Sequence, residues 1–118
     1  NSYRELIVWQ KGIELVTEIY RLTKLYPKEE MYGIISQTRR ASVSIPANIA
    51  EGYTRKHLQE YRQFIRIAFG SGAELETHLE IAKRLHLAPL QEFIPANLLL
   101  DEVMKMLRVM TQKLNPTP

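Results

Sequence analysis

The sequence predicts an all-α protein, an antiparallel up-down-up-down bundle of four helices. Three observations lead there. Apolar residues recur at three- and four-residue spacing in four long segments, which is the mark of a helix face. The breaks between segments are short and carry stop signals: Pro27, Gly52, and Pro89 with Pro95. The chain has 118 residues, which suits one domain, 1–118, with a modest core. Helices joined by short turns pack as antiparallel neighbours.

The first helix is expected over about 3–25. One apolar stripe runs Leu6, Trp9, Ile13, Val16, Tyr20, and a second runs Val8, Gly12, Leu15, Ile19, Leu22. A surface helix of a monomer needs one stripe. Two stripes predict contact on two sides, the second with another subunit. Trp9 fits a buried core anchor better than a base-stacking platform.

Pro27 ends this helix, because the residue before proline avoids the helical region. The second helix is expected over about 29–51, with Glu29 and Glu30 suiting the positive end of its dipole. Its core stripe is Met31, Ile34, Ile35, Thr38, Ala41, Ser42, Ile45, Ile49. The opposite side, Ser36, Arg40, Val43, Ala47, Ala50, is too apolar for solvent alone and again predicts oligomer contact. Pro46 removes the backbone bond to Ser42 and is expected to kink the helix. Gly52 is expected as the left-handed C-cap.

The third helix is expected over about 57–86, after the turn GYTRK at 52–56. Glu60 stands where a capping-box acid would, but His57 occupies the cap position; Thr54 is the alternative cap, and would start the helix earlier. The core stripe is Tyr61, Phe64, Ile65, Ala68, Gly72, Leu75, Leu79, Ala82. Arg62 and Arg66 lie four apart on the opposite face, and Arg55 extends that line if the helix starts early. Gly70-Ser71-Gly72 lacks a preceding strand and a GK[ST] ending, so it predicts close packing and not a phosphate loop. The fourth helix is expected over about 90–114, its pattern clear from Ala96, with Leu99, Val103, Met106, Leu107 and Met110 on the main stripe. Residues 115–118 are expected to form a frayed tail.

Composition narrows the function classes. Net charge is +3, and its placement is uneven: residues 31–72 hold six basic side chains against two acidic ones. Clustered basic charge is the minimum footprint of a nucleic-acid surface. The six are Arg39, Arg40, Arg55, Lys56, Arg62 and Arg66. The chain has no cysteine, which excludes disulfides and thiolate metal sites and suits a reducing cytoplasm. No signal peptide or membrane-spanning run is visible, so a cytoplasmic location is expected. Glu74, Glu76, Glu80 and His78 do not form a bundle metal site. That chemistry needs Glu-x-x-His on two helices, whereas Glu74 and His78 are four apart and no second motif exists. Ser42 and Ser44 have no histidine nearby in sequence and no nucleophile elbow. No catalytic residues, metal or other cofactor are therefore expected.

Three segments carry a family resemblance: LIVWQK at 6–11, YPKEEMYGIISQTRRASVSIPANIAEG at 26–52, and IAFGSGAELETHL at 67–79. The chain resembles the family called the four helix bundle protein, some members of which are encoded in intervening sequences of 23S rRNA genes. The resemblance implies a pentamer, a ring of five bundles around a central channel. It also implies a non-enzymatic RNA- or DNA-binding protein. Similarly folded accessory proteins of diversity-generating retroelements engage a reverse transcriptase and its RNA. The six basic residues match the family's basic positions and would contact phosphates without reading bases. His57 departs from the family's serine at the third helix cap. A structural scaffold stands beside this reading. In it the arginines form intersubunit salt bridges, to Glu51 or to acids of the third helix, and the partner is a protein.

Overall fold

The computed structural model describes residues 2–114, so the expected tail at 115–118 lies outside the described residues. Four α-helices and several single turns make up these residues, with no strand among them. They are α1 (Ile7–Thr23), α2 (Ser36–Tyr53), α3 (Leu58–Arg84) and α4 (Ile94–Lys113). Each helix packs against its neighbours in sequence, and α4 closes the four-helix bundle against α1.

The helices start later than the apolar pattern suggests. Residues Tyr3–Glu5 form a separate 3₁₀ turn, capped by the Ser2 side chain, and Leu6 is extended. The segment expected to open the second helix instead holds a 3₁₀ turn, Lys28–Glu30, and a π-turn, Met31–Ile35. Within the latter, Gly33 leaves helical dihedrals (φ −112°, ψ −113°). Met31 and Tyr32 before the break are exposed, whereas Ile35 after it is buried. Pro89 precedes another 3₁₀ turn, Leu90–Phe93, which carries the fully buried Phe93 into the core. Pro95 then occupies the first turn of α4, where its missing N–H is no loss.

The core takes the expected stripes in part. On α1 the second stripe, Val8, Gly12, Leu15, Ile19 and Leu22, is buried. Of the first stripe, Trp9 is only half-buried, edge-on to Tyr3 at 5.4 Å, and Ile13 and Tyr20 are exposed. On α2 the buried residues include Thr38, Ala41, Ser42, Ile45, Pro46 and Ile49. Val43 and Ala47 face outward. Helix α2 runs on through Pro46.

Small residues set the helix spacing. A Cβ on Gly12 would lie 3.3 Å from Cβ of Pro46, so α1 and α2 touch there almost backbone to backbone. Gly52 is not the left-handed C-cap. It sits buried inside α2, and a Cβ there would meet Phe64 Cβ at 2.8 Å and the Tyr61 carbonyl at 3.2 Å. The glycine is required by the approach of α3, not by a turn. Gly72 of α3 is less constrained, because a Cβ there would meet Met104 Sδ of α4, the end of a flexible side chain that can shift, and Gly70 lies in open surroundings. Among the described residues, the non-glycine with positive φ is His86, at 56°. Leu87 N–H donates to Ala82 O and His86 N–H to Lys83 O, which closes α3 with a Schellman motif.

At the same end, Arg21 of α1 ties down the α3–α4 connection. It donates to Glu18 Oε1 (2.8 Å), Glu92 Oε1 (2.9 Å) and the Glu92 carbonyl (3.0 Å). These hydrogen bonds, to Glu18 first and Glu92 second, raise its pKa further.

Candidate nucleic-acid interface

The register of α2 against α3 decides how the six basic residues are distributed. It is read from two contacts: the Ser44 and Ser71 hydroxyls lie 2.8 Å apart, and Gly52 abuts Tyr61 and Phe64. Arg39 and Arg40 therefore lie near the level of Glu74. Arg55, Lys56, Arg62 and Arg66 lie toward the opposite end of the helix pair. Arg40 and Tyr53, the last residue of α2, are thirteen residues apart, roughly 20 Å along the helix axis at 1.5 Å per residue, and Lys56 lies beyond Tyr53 in the turn. The basic residues form two groups and not one cluster.

Within each group the side chains differ in what they touch. Arg39 is half-buried between α1 and α2. Its Nε donates to Thr23 Oγ1 at 2.8 Å, and its guanidinium lies 4.4 Å from the Tyr20 ring centroid. Thr23 is oriented for this role because its own hydroxyl donates to Ile19 O at 2.7 Å. Arg39 thus holds two helices together. Arg40 is exposed, and its guanidinium donates to Ser36 Oγ at 3.1 Å.

Arg55 does not extend a stripe on α3, since α3 begins at Leu58 with extended His57 as its N-cap residue. Arg55 instead turns back to Glu51 and lies over Phe64, 4.9 Å from the ring centroid. Thr54 does not cap α3 either. Its hydroxyl donates backwards to the Glu51 carbonyl at 2.8 Å. Lys56 is exposed in the turn, Arg62 is half-buried on α3, and Arg66, one turn on, is exposed.

Among the described residues, no carboxylate lies within 4.0 Å of Arg40, Lys56 or Arg66. These three are cations with their charge left to solvent or a ligand. Glu51, weighed as a partner for a neighbouring subunit's arginine, is engaged by Arg55 of its own chain.

The sequence pattern overlooked Tyr32. Its side chain is 97% exposed. It falls between Met31 and Ile34, off the apolar stripe, which was the available signal. Glu74 and Ser71 were overlooked as neighbours of Arg40, because only the helix register brings them together. His78 is buried on α3, with Nε2 3.7 Å from Glu74 Oε2. Among the described residues, no three His, Cys, Asp or Glu side chains converge as metal ligands. No helix among them is long and apolar enough to cross a membrane.

A family model described as 23S rRNA-intervening sequence protein matches residues 4–109. The chain belongs to this family. The fold is also similar to a crystal structure from Bacteroides thetaiotaomicron VPI-5482, described as a protein with unknown function from the S23 ribosomal protein family. The TM-score is 0.82 at 24% identity, covering 89% of this chain and 98% of that one. At that identity the likeness establishes the fold alone. No curated protein matches the chain.

Proposed function

We propose that this chain is a non-enzymatic, oligomeric protein that binds RNA or DNA through phosphate contacts. The observation that carries the reading is the trio Arg40, Lys56 and Arg66, exposed and without a carboxylate partner among the described residues. Exposed cations of this kind neutralise phosphates and release the counterions condensed on the nucleic acid. The family's link to 23S rRNA intervening sequences favours RNA. Arg39 and Arg55 support the surface from within, and Arg62 flanks it.

Oligomerisation belongs to the same proposal. Ile13 and Tyr20 of α1 and Val43 of α2 are exposed apolar residues on adjoining helices. A closed cyclic homo-oligomer would cover them, and the family resemblance favours five subunits. Repetition of +3 per subunit around a ring would give a strong field. The kink at Pro46 is part of this reading, on the ground that proline denies Ser42 a helical bond. The non-enzymatic part of the reading draws on the serines: Ser42 donates to Arg39 O, and Ser44 is hydrogen-bonded to Ser71 and Asn48.

A second reading, a protein-interaction scaffold, draws on the structural use of Arg39 and Arg55. Its partner would be a protein such as a reverse transcriptase, seated on the same apolar face.

Binding of labelled structured RNA and duplex DNA across a salt series tests the proposal, with light scattering in the same buffers. Affinity should fall steeply with salt. Lys56→Ala with Arg66→Ala should reduce the log–log slope by about 1 to 2 while the oligomer stays intact. No binding at low salt would overturn the nucleic-acid reading and favour the scaffold.

A further inference from the structure

Between the start of α2 and the middle of α3 lies a cavity of about 600 Å³. Its lining includes Tyr32, Ser36, Arg40, Ser44, Ser71 and Glu74. This cavity between two helices is lined mainly by polar side chains and carries both signs of charge.

The hydrogen bonds in its floor leave a donor. Asn48 Nδ2 donates to Ser44 Oγ at 2.9 Å and to Ser44 O at 2.8 Å. Ser44 can then pass its own proton to Ser71 Oγ across 2.8 Å. Ser71 retains a proton for a further acceptor. On the walls, Arg40 bonds only a neutral hydroxyl, and Glu74 Oε2 is 3.7 Å from His78 Nε2, beyond hydrogen-bond range. At the lip stands Tyr32, its ring almost entirely in solvent. Tyrosine normally buries much of its ring. An aromatic face beside a polar recess is the arrangement on which unpaired bases stack.

The mixed charge narrows the occupant. A phosphate alone would suffer from Glu74. A ligand must present donors to the carboxylate and acceptors to the guanidinium and the Ser71 hydroxyl. Among the four RNA bases, guanine alone has two adjacent N–H donors, N1 and N2, on one edge to face a single carboxylate. It also carries the acceptors O6 and N7 that guanidinium groups favour. We propose that this cavity takes one unpaired guanine nucleotide: Tyr32 stacks on the base, Glu74 accepts from N1 and N2, and Arg40 and Ser71 donate to its acceptors. The inference rests on the nucleic-acid reading and deepens it, since Arg40 then serves a base and Lys56 and Arg66 remain for the backbone.

The probes are fluorescent RNA hairpins identical except for one loop position: guanine, inosine or adenine. Free GMP is titrated in parallel. The guanine loop should bind about tenfold or more tighter than the adenine loop, since a good two-point contact discriminates at that level. Inosine, lacking the N2 donor, should fall between them. Tyr32→Ala should weaken the guanine loop severalfold. Glu74→Gln should erase the guanine preference even where removal of a negative charge raises overall affinity. Both side chains are exposed, and circular dichroism confirms that the variants fold. Equal affinity for all three loops, with a normal salt slope, would overturn the guanine site and leave the phosphate surface standing. GMP binding sensitive to Tyr32→Ala, with no hairpin bound at low salt, would overturn the nucleic-acid reading and assign the cavity to a free nucleotide. Binding of neither would overturn both.

Discussion

The two ends of the α2–α3 pair are built in opposite ways. At the end near the α2–α3 turn, Gly52 lets α3 come so close that Tyr61 and Phe64 lie on the α2 backbone. At the other end, Tyr32, Arg40 and Glu74 stand around an open polar cavity. The same two helices therefore move from backbone contact to a space large enough for a nucleotide. The comparison separates two uses of small residues. Gly52 closes a gap, whereas Ser36, Ser44 and Ser71 line one while keeping hydrogen-bonding groups available. It also explains why the unpaired cation Arg40 lies by the cavity, whereas Arg55 at the closed end is held by Glu51 and Phe64.

The most damaging way to break this contrast is to wedge the closed end. Gly52→Ala places a methyl group 2.8 Å from Phe64 Cβ and 3.2 Å from the Tyr61 carbonyl. Neither is the free end of a flexible side chain, so the helices must separate. Overpacking of this kind costs about 1–3 kcal/mol, and the upper half of that range is expected here. Urea unfolding followed by circular dichroism should show the midpoint fall. An unchanged midpoint would mean that the close approach is not a real constraint.

A second contrast sits at the open end. Tyr26 and Tyr32 are six residues apart, yet Tyr26 is buried with its ring 6.3 Å from that of Phe93, and Tyr32 is exposed. Burial pushes the Tyr26 hydroxyl up to about 12 from its usual value of 10.0. The fold thus favours the protonated phenol. Above pH 10 the unfolded chain loses this proton first, so stability falls as pH rises from about 10 toward 12. One pKa unit corresponds to about 1.4 kcal/mol, so the loss should reach about 1 kcal/mol by pH 11. Tyr26→Phe should remove this component. It should cost little at pH 7, because the Tyr26 hydroxyl is buried with no hydrogen-bond partner among the described residues. The measurement is the pH 9 to pH 11 change in unfolding free energy, wild type against Tyr26→Phe.

Much of the bundle was legible because helix faces are periodic. The stripe from Val8 to Leu22 and the run from Ile65 to Ala82 are where spacing placed them. What spacing could not supply was the identity of the neighbour. Gly52 has the same local pattern whether it ends a helix or admits another one; only Tyr61 and Phe64 decide. Phe93 sits between two prolines in a segment without periodicity, and its burial depends on a 3₁₀ turn. The basic residues were found by composition, but their roles were not. Arg39 is used between helices because Thr23 and Tyr20 happen to face it. The cavity was invisible for the same reason: Arg40 and Glu74 are distant in sequence and meet through the register of α2 on α3.

The smallest expected effect concerns the connection that closes the open end. His86 holds φ at 56° at the C′ position of a Schellman motif, where glycine pays no penalty for the missing Cβ room. A non-glycine residue in this region is strained by roughly 1 kcal/mol. His86→Gly relieves that strain but also frees the unfolded chain, an opposing entropic effect of several tenths of a kcal/mol. The net change should be a stabilisation of about 0.5 kcal/mol. His86→Ala should give none, since alanine retains the Cβ. If both variants shift the unfolding midpoint equally, the gain comes from removing the imidazole and not from the backbone. If only glycine stabilises, the turn that sets the start of α4, and with it the burial of Phe93, is held at the expense of local strain. The closed end has no comparable site among the described residues: Gly52 there is helical, and its lack of a side chain serves the approach of α3 and not a left-handed turn.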